Sequence, residues 1–309
     1  MGARVAVVTD STASLPAALV EASGLVVVPL QVVIDGVSYS EGVDLEPSRL
    51  VEALLAGAGV TTAQPGPDAF ARVYARVVAR GAREIVSVHL SRDLSGTVTS
   101  AEIAAQSAGV PVHVVDSRTV GMGLGLAALA AARTAAGGGA TQGVPPGHHG
   151  GAGSPRADGS AAALPDGSEV ARAARRTSAG SSVLFAVDSL EHLRRGGRLG
   201  NVASALGTVL GLRPVLGVRA GRIEVVEKVR TSRRARERIV DLSVADAMRR
   251  RRCDVVVHHL GQVDLAEAAA ERLRTSCGPS LRDVHVAEVS AALGAHVGPG
   301  LLCVVVADA

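Results

Sequence analysis

Short β-branched apolar runs alternate with longer Ala- and Arg-rich stretches through the first half of the chain. Residues 5–8 form an unbroken apolar run that ends at Thr9-Asp10-Ser11-Thr12, the pattern of a strand buried on both faces. Ser14-Leu15-Pro16 starts a helix, with proline in its first turn. Residues 25–30 read as a second strand. Residues 32–34 and 37–39 flank Asp35-Gly36 and read as a hairpin. Helices follow at 47–56 and 67–80, and strands at 84–89 and 112–115. This order predicts an α/β fold whose first half is a mainly parallel, doubly wound sheet.

Residues 137–168 break the alternation. They contain Gly137-Gly138-Gly139, Pro145-Pro146, His148-His149 and Ser154-Pro155, with almost no large apolar residue to offset ordering entropy. The segment reads as a disordered loop. Beyond it the pattern changes to a strand at 183–187, an apolar helix at 202–210, and a hairpin made of 214–218 and 223–229 around Ala220-Gly221-Arg222. A long basic helix follows, then strands at 254–258, 283–289 and 301–306 with a helix at 264–273. We therefore expect two α/β units, 1–170 and 171–309, the second with a mixed sheet and a ligand between them.

Composition narrows the chemistry. Almost half the residues are apolar (47%), yet Trp is absent and there are only two Phe and two Tyr, so the interior is aliphatic. Lys228 is the single lysine, which marks an arginine-rich coding bias as well. The net charge is +3, and without aromatic stacking platforms the arginine clusters do not suggest nucleic acid. Cys253, Cys277 and Cys303 lack metal-ligand spacing and imply buried thiols in a reducing compartment. No signal region or bilayer-length apolar run is visible, so we expect a cytoplasmic protein with at most transient membrane contact.

Ligands of open α/β sheets bind at the carboxyl ends of strands. Four such ends are rich in hydroxyls: the segments at 9–12, 61–65, 91–97 and 116–118. None carries a nucleophile elbow, a P-loop or a dinucleotide fingerprint. The second half adds His258-His259, Arg230-Thr231 and a His between glycines, Gly294-Ala295-His296-Val297-Gly298-Pro299-Gly300, read as a side chain presented on a rigid loop. Hydroxyls, a His and an Arg are hydrogen-bond donors that suit a carboxylate or phosphate. An acyl tail would then lie in the aliphatic core. At roughly 0.8 kcal/mol per methylene, a sixteen-carbon chain contributes about 12 kcal/mol before ordering costs. Two other readings compete. One is a hydrolase using Ser95 or Ser11 with His296 as base. The other is a nucleotide-binding regulator, which lacks a phosphate-binding loop.

Six motifs in order resemble the DegV/FakB family. They are residues 8–16, Thr62-Ala63-Gln64-Pro65-Gly66-Pro67, Leu94-Ser95-Gly96-Thr97, residues 190–200 ending in Gly196-Gly197-Arg198-Leu199-Gly200, Leu212-Arg213-Pro214-Val215-Leu216, and residues 294–300. The resemblance covers nearly the whole chain outside 137–168. It implies two α/β domains enclosing one long-chain fatty acid, whose carboxylate a separate fatty acid kinase catalytic subunit phosphorylates for phospholipid synthesis. On this basis Thr62, Ser95 and His296, with Gly96 and Arg230, would hold the carboxylate. Asp10, Ser11, Thr61 and His259 would form a possible additional pocket, and Arg198 would face the kinase. No cofactor, metal or independent catalysis is implied. Ala63 stands where the family has Ser, and Ser91-Arg92 where it has Ser-Ser.

Overall fold

The computed structural model describes residues 4–138, 164–200, 202 and 212–309. Strands β1 (Val5–Asp10), β2 (Val26–Val28), β6 (Glu84–His89) and β7 (Val112–Asp116) form a parallel sheet in the order β2-β1-β6-β7. The apolar runs are continuous because both faces are covered. Helices Pro67–Ala79 and Thr97–Ala105 seal one face through Phe70, Tyr74 and Ala101. Helices Met122–Ala135 and Gly167–Ala179 pack on the other.

Beside it stands a small antiparallel sheet of β3 (Gln31–Ile34), β4 (Val37–Ser40) and β5 (Val60–Ala63), ordered β4-β3-β5. Asp35 and Gly36 both take positive φ, 48° and 84°, as a tight two-residue hairpin requires. Thr61 and Thr62 were expected at the end of a parallel strand. They lie instead within β5, where alternation turns them to opposite sides of a two-sided ribbon.

The second sheet runs β10-β9-β8-β13-β11-β12: β8 (Ser182–Ala186), β9 (Arg213–Arg219), β10 (Arg222–Val229), β11 (Cys253–His259), β12 (Leu281–Glu288) and β13 (Leu302–Asp308). Only β11 and β12 pair in parallel. Helices Ser232–Arg249 and Val263–Ser276 cover its outer face. The inner face, with Val183, Phe185 and Cys303, joins the core shared with the first unit.

Two other expectations change. The break at 137–168 ends earlier than expected, because Asp166 caps helix Gly167–Ala179 in a capping box with Glu169. Residues 139–163 lie outside the described residues, as does the expected helix at 202–210 apart from Val202. The glycine-flanked His296 sits in the last turn of helix Ala291–Val297 rather than on a loop.

Candidate ligand cavity

An apolar cavity lies between the inner face of the second sheet and the strand ends of the first unit. Its empty volume, open mouth included, is about 880 Å³. Leu30 and Leu90 wall it from the first unit, and Val183, Phe185, Val218 and Ile223 from the second. Its polar lining is sparse: Thr12, Thr62, Gln64, Ser95, Arg198, His258 and His296.

Three of the expected carboxylate-binding residues meet here. β5 presents Thr62, and Thr62 Oγ1 lies 2.8 Å from His296 Nε2 across the two units. Ser95 follows a turn in which the N–H groups of Leu94 and Ser95 donate to Ser91 O. Its Oγ is 2.9 Å from Thr97 Oγ1, which can donate to it and leave the Ser95 proton free. Gly96 stands behind, and a side chain there would run into Gln64, itself on the cavity wall.

Arg198 also lines the cavity, half-buried, where the sequence placed it outward. Its Nε donates to Leu94 O at 3.1 Å, which lays the Gly196-Gly197-Arg198 turn over the Ser95 turn. Burial, and then the Arg198 charge, lowers the His296 pKa to about 4, so the ring is neutral near pH 7. The His296 ring packs directly on Gly196, where any Cβ would collide with Nδ1. That contact explains the first glycine of the Gly-Gly-Arg turn. Gly298 and Gly300 answer to two requirements: both take positive φ, 72° and 88°, and side chains there would also strike His192 and Asp188.

Arg230 is exposed, at the far end of β10 from the cavity residue Ile223, roughly 20 Å along the strand. Thr61 is exposed on the other side of β5. Of the His pair it is His258 that lines the cavity. Its Nε2 accepts from the Met122 N–H at 3.1 Å, so Nδ1 carries the proton and donates to Ala287 O at 3.1 Å. Burial holds its pKa at about 4. His259 is buried beside it without a partner for Nδ1. Strand alternation separates the two, and the sequence gives no sign of which one faces inward.

Asp10 is fully buried and accepts from Thr12 N, His89 Nδ1 and Leu90 N at 3.0, 2.9 and 3.1 Å. His89 Nε2 meets Ser87 Oγ at 2.7 Å, and Tyr74 donates to that oxygen at 2.9 Å. This Ser-His-Asp chain has triad geometry, but all three side chains are fully buried, and only Thr12 at its end touches the cavity. Ser11 accepts from the Leu30 N–H and lines a separate side cavity with Asp10. His296 therefore pairs with Thr62, and neither Ser95 nor Ser11 forms the nucleophile–base pair a hydrolase needs. Among the described residues no cluster of three or more His, Cys, Asp or Glu could hold a metal, and no helix is long and apolar enough to cross a membrane.

The model of the uncharacterised DegV family matches residues 4–144 and 165–309. The chain belongs to the DegV family. The DegV domain-containing protein SCO2569 of Streptomyces coelicolor is 43% identical over 308 residues, covering 100% of both chains. Among solved structures, a fatty acid-binding DegV family protein of Thermus thermophilus shares 33% identity and superposes with a TM-score of 0.81, over 99% of this chain and 100% of that one. DegV of Bacillus subtilis, a fatty acid-binding protein, shares 26% identity at a TM-score of 0.83 over 100% of both. The stretch that the DegV family model passes over, 145–164, falls in the glycine- and proline-rich break.

Proposed function

We propose that this DegV protein binds one long-chain fatty acid in the cavity and presents its carboxylate to a separate kinase for acyl-phosphate formation. The carrying observation is the Thr62–His296 pair at 2.8 Å, set beside Ser95 and Arg198 in a mostly apolar cavity. A hydroxyl has one proton. For Thr62 to give it to a carboxylate, neutral His296 must donate Nε2–H to Thr62 Oγ1; for Ser95 to do the same, its Oγ must accept a hydrogen bond from the Thr97 hydroxyl. Arg198 then supplies the positive charge that a buried carboxylate needs. The fatty acid-binding relatives support the ligand class. The transfer itself is assigned to a partner because, among the described residues, no third group orients His296 as a base towards the Thr62 hydroxyl, the one hydroxyl it meets in the cavity.

Native mass spectrometry of the freshly purified protein tests the binding step. About one fatty acid per chain is expected. Absence of lipid, together with no uptake of added palmitate or oleate, overturns it. Incubation of the loaded protein with a fatty acid kinase catalytic subunit and ATP tests the second step, and acyl phosphate is the expected product. If the loaded protein yields none with kinases that act on other DegV carriers, presentation to a kinase is wrong while binding stands.

A further inference from the structure

Helix Ala291–Val297 is held at its start from the first unit. Ser290 caps it, its hydroxyl accepting from the Leu293 N–H at 3.2 Å. Ser14 Oγ accepts the Ser290 N–H at 3.0 Å, and Glu41 Oε1 accepts the Ala292 N–H at 3.1 Å. Both bonds join residues far apart in the chain. Glu41 directly follows β4, and β4 belongs to the same three-stranded sheet as β5, which carries Thr62. One small sheet therefore holds the helix at two points. Glu41 grips its first turn, and Thr62 meets His296 in its last, roughly 6 Å further along the axis.

Glu41 is an expensive residue to place there. It is only 8% exposed, and its Oε2 completes no hydrogen bond. Burial raises its pKa, against the opposing pull of Ser11, the Ala292 and Ala291 amides and Ser290. The titratable groups on the adjoining side cavity are Asp10, Glu21, Glu46 and Glu288, and no Lys, Arg or His lines it. Among the described residues no ion pair justifies the carboxyl; the backbone bond to the helix is what it makes. Ser14, likewise, sits at φ 52°, a conformation unfavourable for serine.

We propose that Glu41 and Ser14 are positioning residues of the carboxylate site: they fix the start of helix Ala291–Val297, and so the place of His296 against Thr62, without touching the ligand. This rests on the fatty acid reading of the cavity. A shift of the helix by a fraction of an ångström spoils the hydrogen-bond chain to the carboxylate but leaves the aliphatic wall for the tail.

The test compares dissociation constants for palmitate and for hexadecanol, which has the same tail and no carboxylate. Glu41→Met keeps the volume and removes the acceptor. It should weaken palmitate about tenfold and leave hexadecanol within about twofold. Glu41→Gln, which retains an acceptor oxygen, should restore palmitate binding. Ser14→Ala, a small change, should weaken palmitate alone by several-fold, and decides the matter if Glu41→Met does not fold. Equal losses for both ligands, absence of rescue by Glu41→Gln, or unchanged palmitate binding overturns the proposal. His296→Ala is the control for the underlying reading. If wild type does not prefer palmitate, or His296→Ala keeps that preference, the carboxylate assignment itself fails and the positioning role falls with it.

Discussion

The difference between Thr62 and a valine is one hydroxyl at the proposed carboxylate site, where the cavity lining offers few donors. Removing a hydrogen bond to a charged group costs about 1.5–3 kcal/mol in a dry site, so Thr62→Val should raise the palmitate dissociation constant roughly 10- to 150-fold. Isothermal titration measures this, and an unchanged constant would remove Thr62 from the site. The tail still holds the lipid, so binding weakens without vanishing. His258 makes a different kind of prediction. Its folded pKa of about 4 lies below the 6.5 of an ordinary imidazole. The unfolded chain therefore binds the extra proton first as pH falls. The neutral imidazole's contribution is complete above pH 6.5 and is lost progressively down to about pH 4, roughly 3 kcal/mol in all. Denaturant titrations of wild type and His258→Gln should show a shallower loss of stability in the variant across that window. Parallel curves would mean that His258 already takes up its proton in the folded state.

The helix Ala291–Val297 and the Gly-Gly-Arg turn are built against each other, and the contact has a cheap test. Gly196 has φ −72°, which any residue can adopt, so its role is spatial: the His296 ring occupies the room of a side chain. Gly196→Ala should cost about 1–3 kcal/mol from overpacking and should reduce palmitate affinity more than hexadecanol affinity. Equal effects on the two ligands would show that the turn yields and His296 stays put. Elements of this kind were only partly legible in the sequence. The parallel strands, both hairpins and the helix expected at 67–80 follow from local periodicity and turn chemistry and agree with the structure, while helices Thr97–Ala105, Met122–Ala135 and Gly167–Ala179 were not marked out. Thr62, Ser95 and His296 were legible through motifs. Their meeting depends on strands and a helix more than two hundred residues apart, which no local pattern encodes. Arg198 and Arg230 exchanged places for the same reason, since which arginine reaches the cavity is decided by how the second unit docks. The glycines around His296 looked like loop glycines because a glycine required by a close neighbour cannot be told, from sequence, from one required by a turn.

At the scale of the whole molecule the cavity is a joint between units, and a ligand there binds only the closed, folded pair. Leu30 and Leu90 come from one side, and Phe185, Val218 and Ile223 from the other, so neither unit alone encloses the cavity. Anything that binds only the folded state stabilises it by mass action, about 2.7 kcal/mol at a free ligand concentration one hundred times its dissociation constant. For a chain of this size each kcal/mol moves the melting temperature by roughly 2–4 °C. Delipidated protein should therefore melt about 5–10 °C higher with palmitate at that excess. Hexadecanol at the same molar concentration should give a smaller rise, because it gains the tail contacts but its uncharged hydroxyl makes only the weaker, neutral hydrogen bonds and has no charge to meet Arg198. Thr62→Val should narrow the gap between the palmitate and hexadecanol rises without closing it, since the two ligands still differ at Ser95 and Arg198. Equal rises for the two ligands in wild type would mean that the polar end of the cavity does not recognise the carboxylate. No rise with either would mean that the joint between the units is not where the lipid goes.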